Sequence, residues 1–282
     1  MEGMRRGAAA VTAVLALLGL QLLLATPATA APFASATPQS RVGYDISHPQ
    51  CGSTPPDDQA FGIVGVNGGL ATRANPCLRE QLQWAGRSSG ITDQPAVQLY
   101  LNTANPGQVL DDVTTWPSAG ATPYGSCEGA NDQACSWRYG WERARNSVVS
   151  FFAPAARAVQ IDSSPHRYTW WLDVETSNTW QAGSSDARAR NLAALEGMAA
   201  YLESEGAEVG LYSTGRQWGQ IVGTVSEDSP LTELDSWLAG AVTYEQAVDA
   251  CGLDPLVPGG RVVLTQYVPD GLDGLDHNHS CP

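Results

Sequence analysis

The stretch Trp170-Trp171-Leu172-Asp173-Val174-Glu175 sets two carboxyl groups two residues apart in a run that otherwise reads as a buried strand. Side chains alternate across a strand, so Thr169, Trp171, Asp173 and Glu175 share one face, and Trp170, Leu172 and Val174 take the other. Twice the strand rise puts the two acids about 7 Å apart. An ionised carboxylate buried without a partner costs several kcal/mol. Two of them in a partly desolvated cleft do not ionise together: one pKa rises and the other stays low. That condition sets a proton donor beside a charged stabiliser, the pairing used to break glycosidic bonds. The plain alternative is a solvated strand end that happens to be acidic.

Other polar residues fall at the ends of apolar runs. Asp45 ends the first, in GYDISHPQ, on the face of Gly43 and Ser47. Tyr212 lies in GLYST, Gln266 in VVLTQYV, and Asp276 and Asn278 in the following GLDHN, read as a loop. These would converge on one mouth if the runs close into a barrel. Of nine Trp, Trp171 and Trp180 are the candidates for stacking on a sugar, while Trp84, Trp170 and Trp237 are assigned to packing. His277 and His279, two apart in a terminal loop beside Cys281, do not make a metal site. The Gly-rich VGVNGG lacks dinucleotide and phosphate-loop spacing, and no G-x-S-x-G elbow occurs. The chain has no Lys, which excludes Schiff-base and phosphate-loop lysine chemistry. No cofactor is expected.

The positioning elements alternate. Strands are expected at 42–47, 61–67, 97–102, 168–175, 208–213, 236–239 and 261–268, short and rich in β-branched or aromatic residues. Helices are expected at 76–87, 141–157, 186–205, 217–222 and 244–251. The third has an apolar stripe of Leu192, Leu195, Met198, Ala199 and Leu202, with Ser185 as its cap and Gly206 as its stop. Alternation implies an α/β fold with a parallel sheet, and at this length an irregular (β/α)8 TIM-type barrel with one strand unaccounted for. Residues 103–140 lack periodicity and read as a long loop excursion pinned by a disulfide.

Residues 1–30 read as a secretory signal peptide: Arg5 and Arg6, an apolar run to Ala25, then Ala28-Thr29-Ala30. Residues 31–40 read as a flexible leader and 41–282 as the barrel domain. Six Cys in an exported chain imply three disulfides. Of fifteen pairings, Cys51–Cys77, Cys127–Cys135 and Cys251–Cys281 each close a loop between probable neighbours. A net charge of −14 argues against nucleic acid and anionic membranes as partners. A secreted, extracellular monomer, free of membrane once the signal is removed, is expected.

Taken in order, D-x-S-x-x-Q (Asp45, Ser47, Gln50), LDVE (Asp173, Glu175), GLYST, SWLAG and QYV…GLDHN resemble glycoside hydrolase family 25, the lysozyme-type muramidases. The resemblance implies an irregular (β/α) barrel that hydrolyses peptidoglycan or a related polysaccharide. It implies Glu175 as proton donor, Asp173 as orienting or stabilising group, Asp45 facing the pair and Asp276 completing the acidic mouth. Tyr212 and Gln266 would line that mouth, and Trp171 and Asn278 join them as substrate-binding candidates. Three departures stand out. VGVNGG replaces a motif with Lys and Glu, LYLNTANPG replaces an aromatic-His-aromatic turn, and Gly240-Ala241 replace Gln and Tyr. They bring the chain closer to a secreted actinobacterial branch of glycoside hydrolase-like barrels, with rebuilt sugar subsites. A barrel that binds cell-wall glycan without cleaving it is the alternative.

Overall fold

The computed structural model describes residues 41–269 and 274–282, so the expected signal peptide and leader lie outside it. Eight strands close a barrel. They are β1 Val42–Ile46, β2 Gly62–Gly65, β3 Val97–Asn102, β4 Thr169–Asp173, β5 Glu208–Ser213, β6 Asp235–Ala241, β7 Val262–Tyr267 and β8 Asp276–Ser280. Neighbours run parallel from β1 through β7. β8 closes the ring antiparallel to both β7 and β1.

β8 corrects the reading of residues 276–280 as a loop. Its sequence, DHNHS, has no apolar residue, so nothing in its composition announces a strand. An antiparallel neighbour also needs no crossover helix, and the helix–strand rhythm that reveals the other strands is absent here. His277 and His279 face outward onto aromatic rings: His277 lies 4.8 Å from Tyr44 and His279 5.3 Å from Tyr244. Asn278 points inward.

The strands sort their side chains as alternation requires. Trp170, Leu172 and Val174 join the large cluster between barrel and helices. Trp171 packs inside with Phe61, Ile63, Tyr212, Trp237 and Leu264. The interior is tight enough that a Cβ on Gly210 would lie 2.3 Å from the Trp171 ring.

Six helices surround the barrel: α1 Leu78–Ala85, α2 Gln133–Asn146, α3 Ala153–Ala158, α4 Ser185–Ser204, α5 Gly215–Ile221 and α6 Tyr244–Ala250. The helix expected from 141 begins at Gln133, capped by Asp132, whose carboxylate accepts from Cys135 N at 2.8 Å. The supposed excursion therefore contains its first two turns, preceded by a hairpin of Gly120–Thr122 and Gly125–Cys127. A π-turn, Ser147–Phe152, joins α2 to α3. Pro154 in the first turn of α3 has no N–H to give back to the preceding turn, which accounts for the local widening. The cap of α4 is Ser184, accepting from Ala187 N at 3.0 Å, one residue before the expected Ser185. Among the described residues no helix is long and apolar enough to cross a membrane.

Three disulfides, Cys51–Cys77, Cys127–Cys135 and Cys251–Cys281, tie the loop after β1 to α1, the hairpin to α2, and the end of α6 to the residue after β8. Helices α2 and α4 cross at glycines. A Cβ on Gly140 would sit 1.8 Å from Ala194 O, and one on Gly197 2.0 Å from Trp137 O. Gly140→Ala and Gly197→Ala should each lower unfolding free energy by about 2–3 kcal/mol, the upper range for overpacking. Gly219→Ala, where a Cβ meets nothing within 4 Å, should raise it by about 0.5–1 kcal/mol. Urea denaturation of the three variants checks both signs.

Candidate functional site

A cleft of about 700 Å³ opens where the parallel strands end at their carboxyl termini. Four acids line it: Asp45 near the end of β1, Asp173 at the end of β4, Glu175 two residues later, and Asp276 at the start of β8. The antiparallel register of β1 and β8 puts Asp45 directly across from Asp276. Asp173 stands between Asn102 of β3 and Tyr212 of β5.

Glu175 lies beyond the strand, which ends two residues earlier than expected, and backbone bonds fix it instead. Val174 N donates to Tyr212 O at 2.9 Å, and Ser213 Oγ donates to Val174 O at 2.7 Å. Trp180 Nε1 donates to Glu175 O at 3.0 Å. Gln217 of α5 accepts from Thr176 N at 2.6 Å. The extended course of β4 thus continues far enough to keep Glu175 on the inward face. Trp180 is used here as a brace and does not line the cleft.

Asp45 is held from below by two side-chain amides. Gln266 Nε2 and Asn278 Nδ2 both donate to its Oδ2, at 3.0 and 2.7 Å. Each amide is oriented in turn: Tyr212 OH donates to Gln266 Oε1 at 2.8 Å, and Trp237 Nε1 donates to Asn278 Oδ1 at 2.9 Å. An indole N–H can only donate, so the polarity of the Asn278 amide is settled. Tyr212, Gln266 and Asn278 are among the expected substrate-binding residues, and none of them is among the residues lining the cleft. They are buried beneath the cleft and position Asp45. Trp171, another of the expected residues, is only 1% exposed, lies a layer below Asp173 and donates from Nε1 to Gln98 Oε1 at 2.7 Å.

All four acids are pushed toward the protonated form. The sequence pattern implied one raised and one ordinary carboxyl; the structure raises both and two more besides. Burial, then Asp276, lifts Asp45 to about 8 against the opposing hydrogen bonds from Asn278 and Gln266. Asp173 is held well above the usual carboxylate range by burial, then by Glu175 and Asp45, and its Oδ1 is buried with no hydrogen-bond partner among the described residues. Glu175, less buried, is raised by desolvation and then by Asp276. Asp276 is raised by burial, with His277 opposing. Together they form one cluster in the cleft, each carboxyl raised above its ordinary value first by burial. Among the described residues no group of three or more His, Cys, Asp or Glu side chains has metal-binding geometry.

The cleft also contains residues not singled out in the sequence: Asn67, Arg73, Tyr100, Asn102 and Asn178. The signal for two of them was present. Alternation along β3 sends Leu99 and Leu101 outward, so Tyr100 and Asn102 must face in.

The fold and the acidic mouth of the barrel can now be set beside known proteins. No protein-family model matches the chain. A curated relative, probable GH family 25 lysozyme 2 of Dictyostelium discoideum, is 30% identical over 100 residues, covering 29% of this chain and 45% of the relative. The match therefore spans less than half of that relative. The bacterial lysozyme from Streptomyces coelicolor superposes with a TM-score of 0.50 at 14% identity, covering 86% of this chain and 93% of that one. The muramidase from Trichobolus zukalii superposes with a TM-score of 0.50 at 14% identity, covering 86% and 94%. The likeness to these solved structures shows the fold: the chain has a barrel like those of the lysozyme and the muramidase.

Asp45 gives this site a testable pH signature. Folded, its carboxyl keeps a proton up to about 8; the ordinary value is 3.8. Its contribution to stability is therefore fully present below about 3.8 and is lost as pH rises through about 8. Asp45→Asn keeps an oxygen for both amide donors and has no charge to bury. Its melting temperature should exceed the parent's at pH 8, with the gap closing toward pH 4. A gap that does not change with pH would reject the assignment.

Proposed function

We propose that this chain is an exported glycoside hydrolase that cleaves glycosidic bonds of peptidoglycan or a related cell-wall polysaccharide. The observation that carries the reading is the set of four acids, with raised pKa values, in the open cleft of a lysozyme-like barrel. The relatives named lysozyme and muramidase support the substrate class. The Cys content, together with the apolar leader at 1–30, supports export as a monomeric domain of residues 41–282.

Glu175 is the general acid in this reading. It is more exposed than Asp173, so a glycosidic oxygen can reach it, and burial, then Asp276, raises its pKa in the direction a proton donor needs. As the bond to the leaving sugar breaks, the Glu175 proton moves to the departing oxygen and Glu175 becomes a carboxylate. Positive charge develops on the sugar left behind. Asp45 and Asp173 face that charge from the same cleft; a water then gives its oxygen to the sugar and its proton to the acid cluster, which restores the proton that Glu175 lost. Asp276 closes the acidic mouth and holds the proton affinity of Glu175 high.

Reducing-end release from purified peptidoglycan, with and without its teichoic acid, tests the proposal. The parent protein should release ends, and Glu175→Gln should lower the rate by about 10²–10⁴-fold, the usual contribution of a general acid. Full activity in the variant would sink the mechanism. Binding of glycan with no release by the parent over long incubation would favour the non-catalytic barrel instead.

A further inference from the structure

The cleft is acidic at one end and holds a single Arg, Arg73, at its rim among the described residues. Arg73 is carried by a short hairpin after β2, pairing Asn67–Gly68 with Arg73–Ala74. That hairpin is anchored from several sides. Asn67 donates to Ser147 Oγ at 2.9 Å and accepts from Asn102 N at 2.7 Å. Asn75 donates from its backbone to Val66 O at 3.0 Å and from its amide to Gly65 O at 2.7 Å. The Arg73 side chain lies across Gly69, where a Cβ would come 3.7 Å from Arg73 Cδ. The hairpin backbone that carries Arg73 is therefore fixed, while its side chain is exposed at the rim and enters no ion pair among the described residues. A smaller cavity of about 170 Å³ adjoins it, shared by Arg73 and His48.

An unpaired guanidinium at the edge of an acidic, amide-lined cleft has one chemical complement. We propose that Arg73, with His48 across the small cavity, forms an anion-recognising subsite that takes a carboxylate or phosphodiester carried by the glycan. A planar guanidinium fork fits either oxyanion bidentately. The sugar would lie over Asn67, Asn102 and Asn178 toward the acids, with its anionic substituent directed away from them to Arg73. The inference deepens the proposed hydrolase reading, naming the substrate as an anionic glycan, and it does not need catalysis to be tested.

Binding is measured on the Glu175→Gln chain, with and without Arg73→Gln or Arg73→Lys. The probes are peptidoglycan glycan strands: native, with carboxylates amidated by carbodiimide and amine, and with phosphodiesters removed by hydrofluoric acid. Arg73→Gln should weaken binding of native strands about three- to tenfold, as expected for a partly exposed charged contact, with Arg73→Lys recovering part of the loss. Raising the salt should shrink the difference. In the cleaving parent the loss should fall on KM rather than kcat. The treatment that abolishes the Arg73 dependence identifies the anion: amidation for a carboxylate, hydrofluoric acid for a phosphodiester. Arg73→Gln that binds native strands as tightly as the Glu175→Gln chain alone would overturn the subsite. Charge-selective binding without cleavage by the parent would overturn the hydrolase reading and leave the subsite standing.

Discussion

The burial of Asp45 at the bottom of the cleft is the constraint on which the rest of the site depends. A carboxyl group 8% exposed needs donors within the protein, and both come from the closing strands of the barrel. Gln266 on β7 and Asn278 on β8 converge on one oxygen, Oδ2. Behind them Tyr212 and Trp237 orient the amides, so neither can rotate without breaking a second buried hydrogen bond. Two donors on Oδ2 fix the carboxyl group in place at the bottom of the cleft. β8 delivers both the Asn278 amide and the Asp276 carboxyl, two residues apart on the inward face, so closing the barrel and assembling the site are one event.

The dry layer beneath the acids is the second condition. Trp171, Tyr212 and Trp237 fill the barrel core with rings, the last two with centroids 4.3 Å apart, and Gly210 leaves room for Trp171. Desolvation is the first cause of the raised pKa at each of the four acids, and these rings displace water from below. Asp173 and Glu175 then differ by depth. The deeper group has an unpartnered oxygen and the stronger upward push; the shallower one has solvent, and Gln217 nearby, to moderate it. A gradient of burial along two residues of one chain produces two acids of different character.

Much of this was legible in the sequence, for physical reasons that also mark where reading stopped. β3 and β5 have the bounds the pattern predicted because both are apolar runs flanked by turn residues. Alternation through 169–175 correctly separated the inward acids from the outward Trp170, Leu172 and Val174, since period two holds even where the ladder ends. The strand DHNHS was missed because its partners are amides and rings that no composition rule associates with a strand. Alternation alone could not say how deep a residue sits, which is why Trp171, Tyr212, Gln266 and Asn278 were expected at the surface of the mouth and lie under it. Arg73 was invisible for a different reason: its relevance comes from a two-residue ladder, Asn67↔Ala74 and Gly68↔Arg73, that folds a loop back over the cleft.

That loop bears on how an acidic protein approaches a polyanionic wall. The chain carries a net charge of −14, and long-range attraction to such a polymer is unavailable. Local geometry then has to supply what the overall field withholds. The resemblance to glycoside hydrolase family 25 leads one to expect a Lys and a Glu after β2, and this chain has Asn67, Gly68 and Gly69 there; the cation instead arrives on the returning strand of the same hairpin. Anchoring through Asn67 and Asn75 keeps it at the rim. Burial raises the pKa of the carboxyl groups in their dry setting, which lessens their pull on the cation. On the proposed reading, separating the cation at the rim from the cluster of buried acids leaves each available to a different part of one substrate.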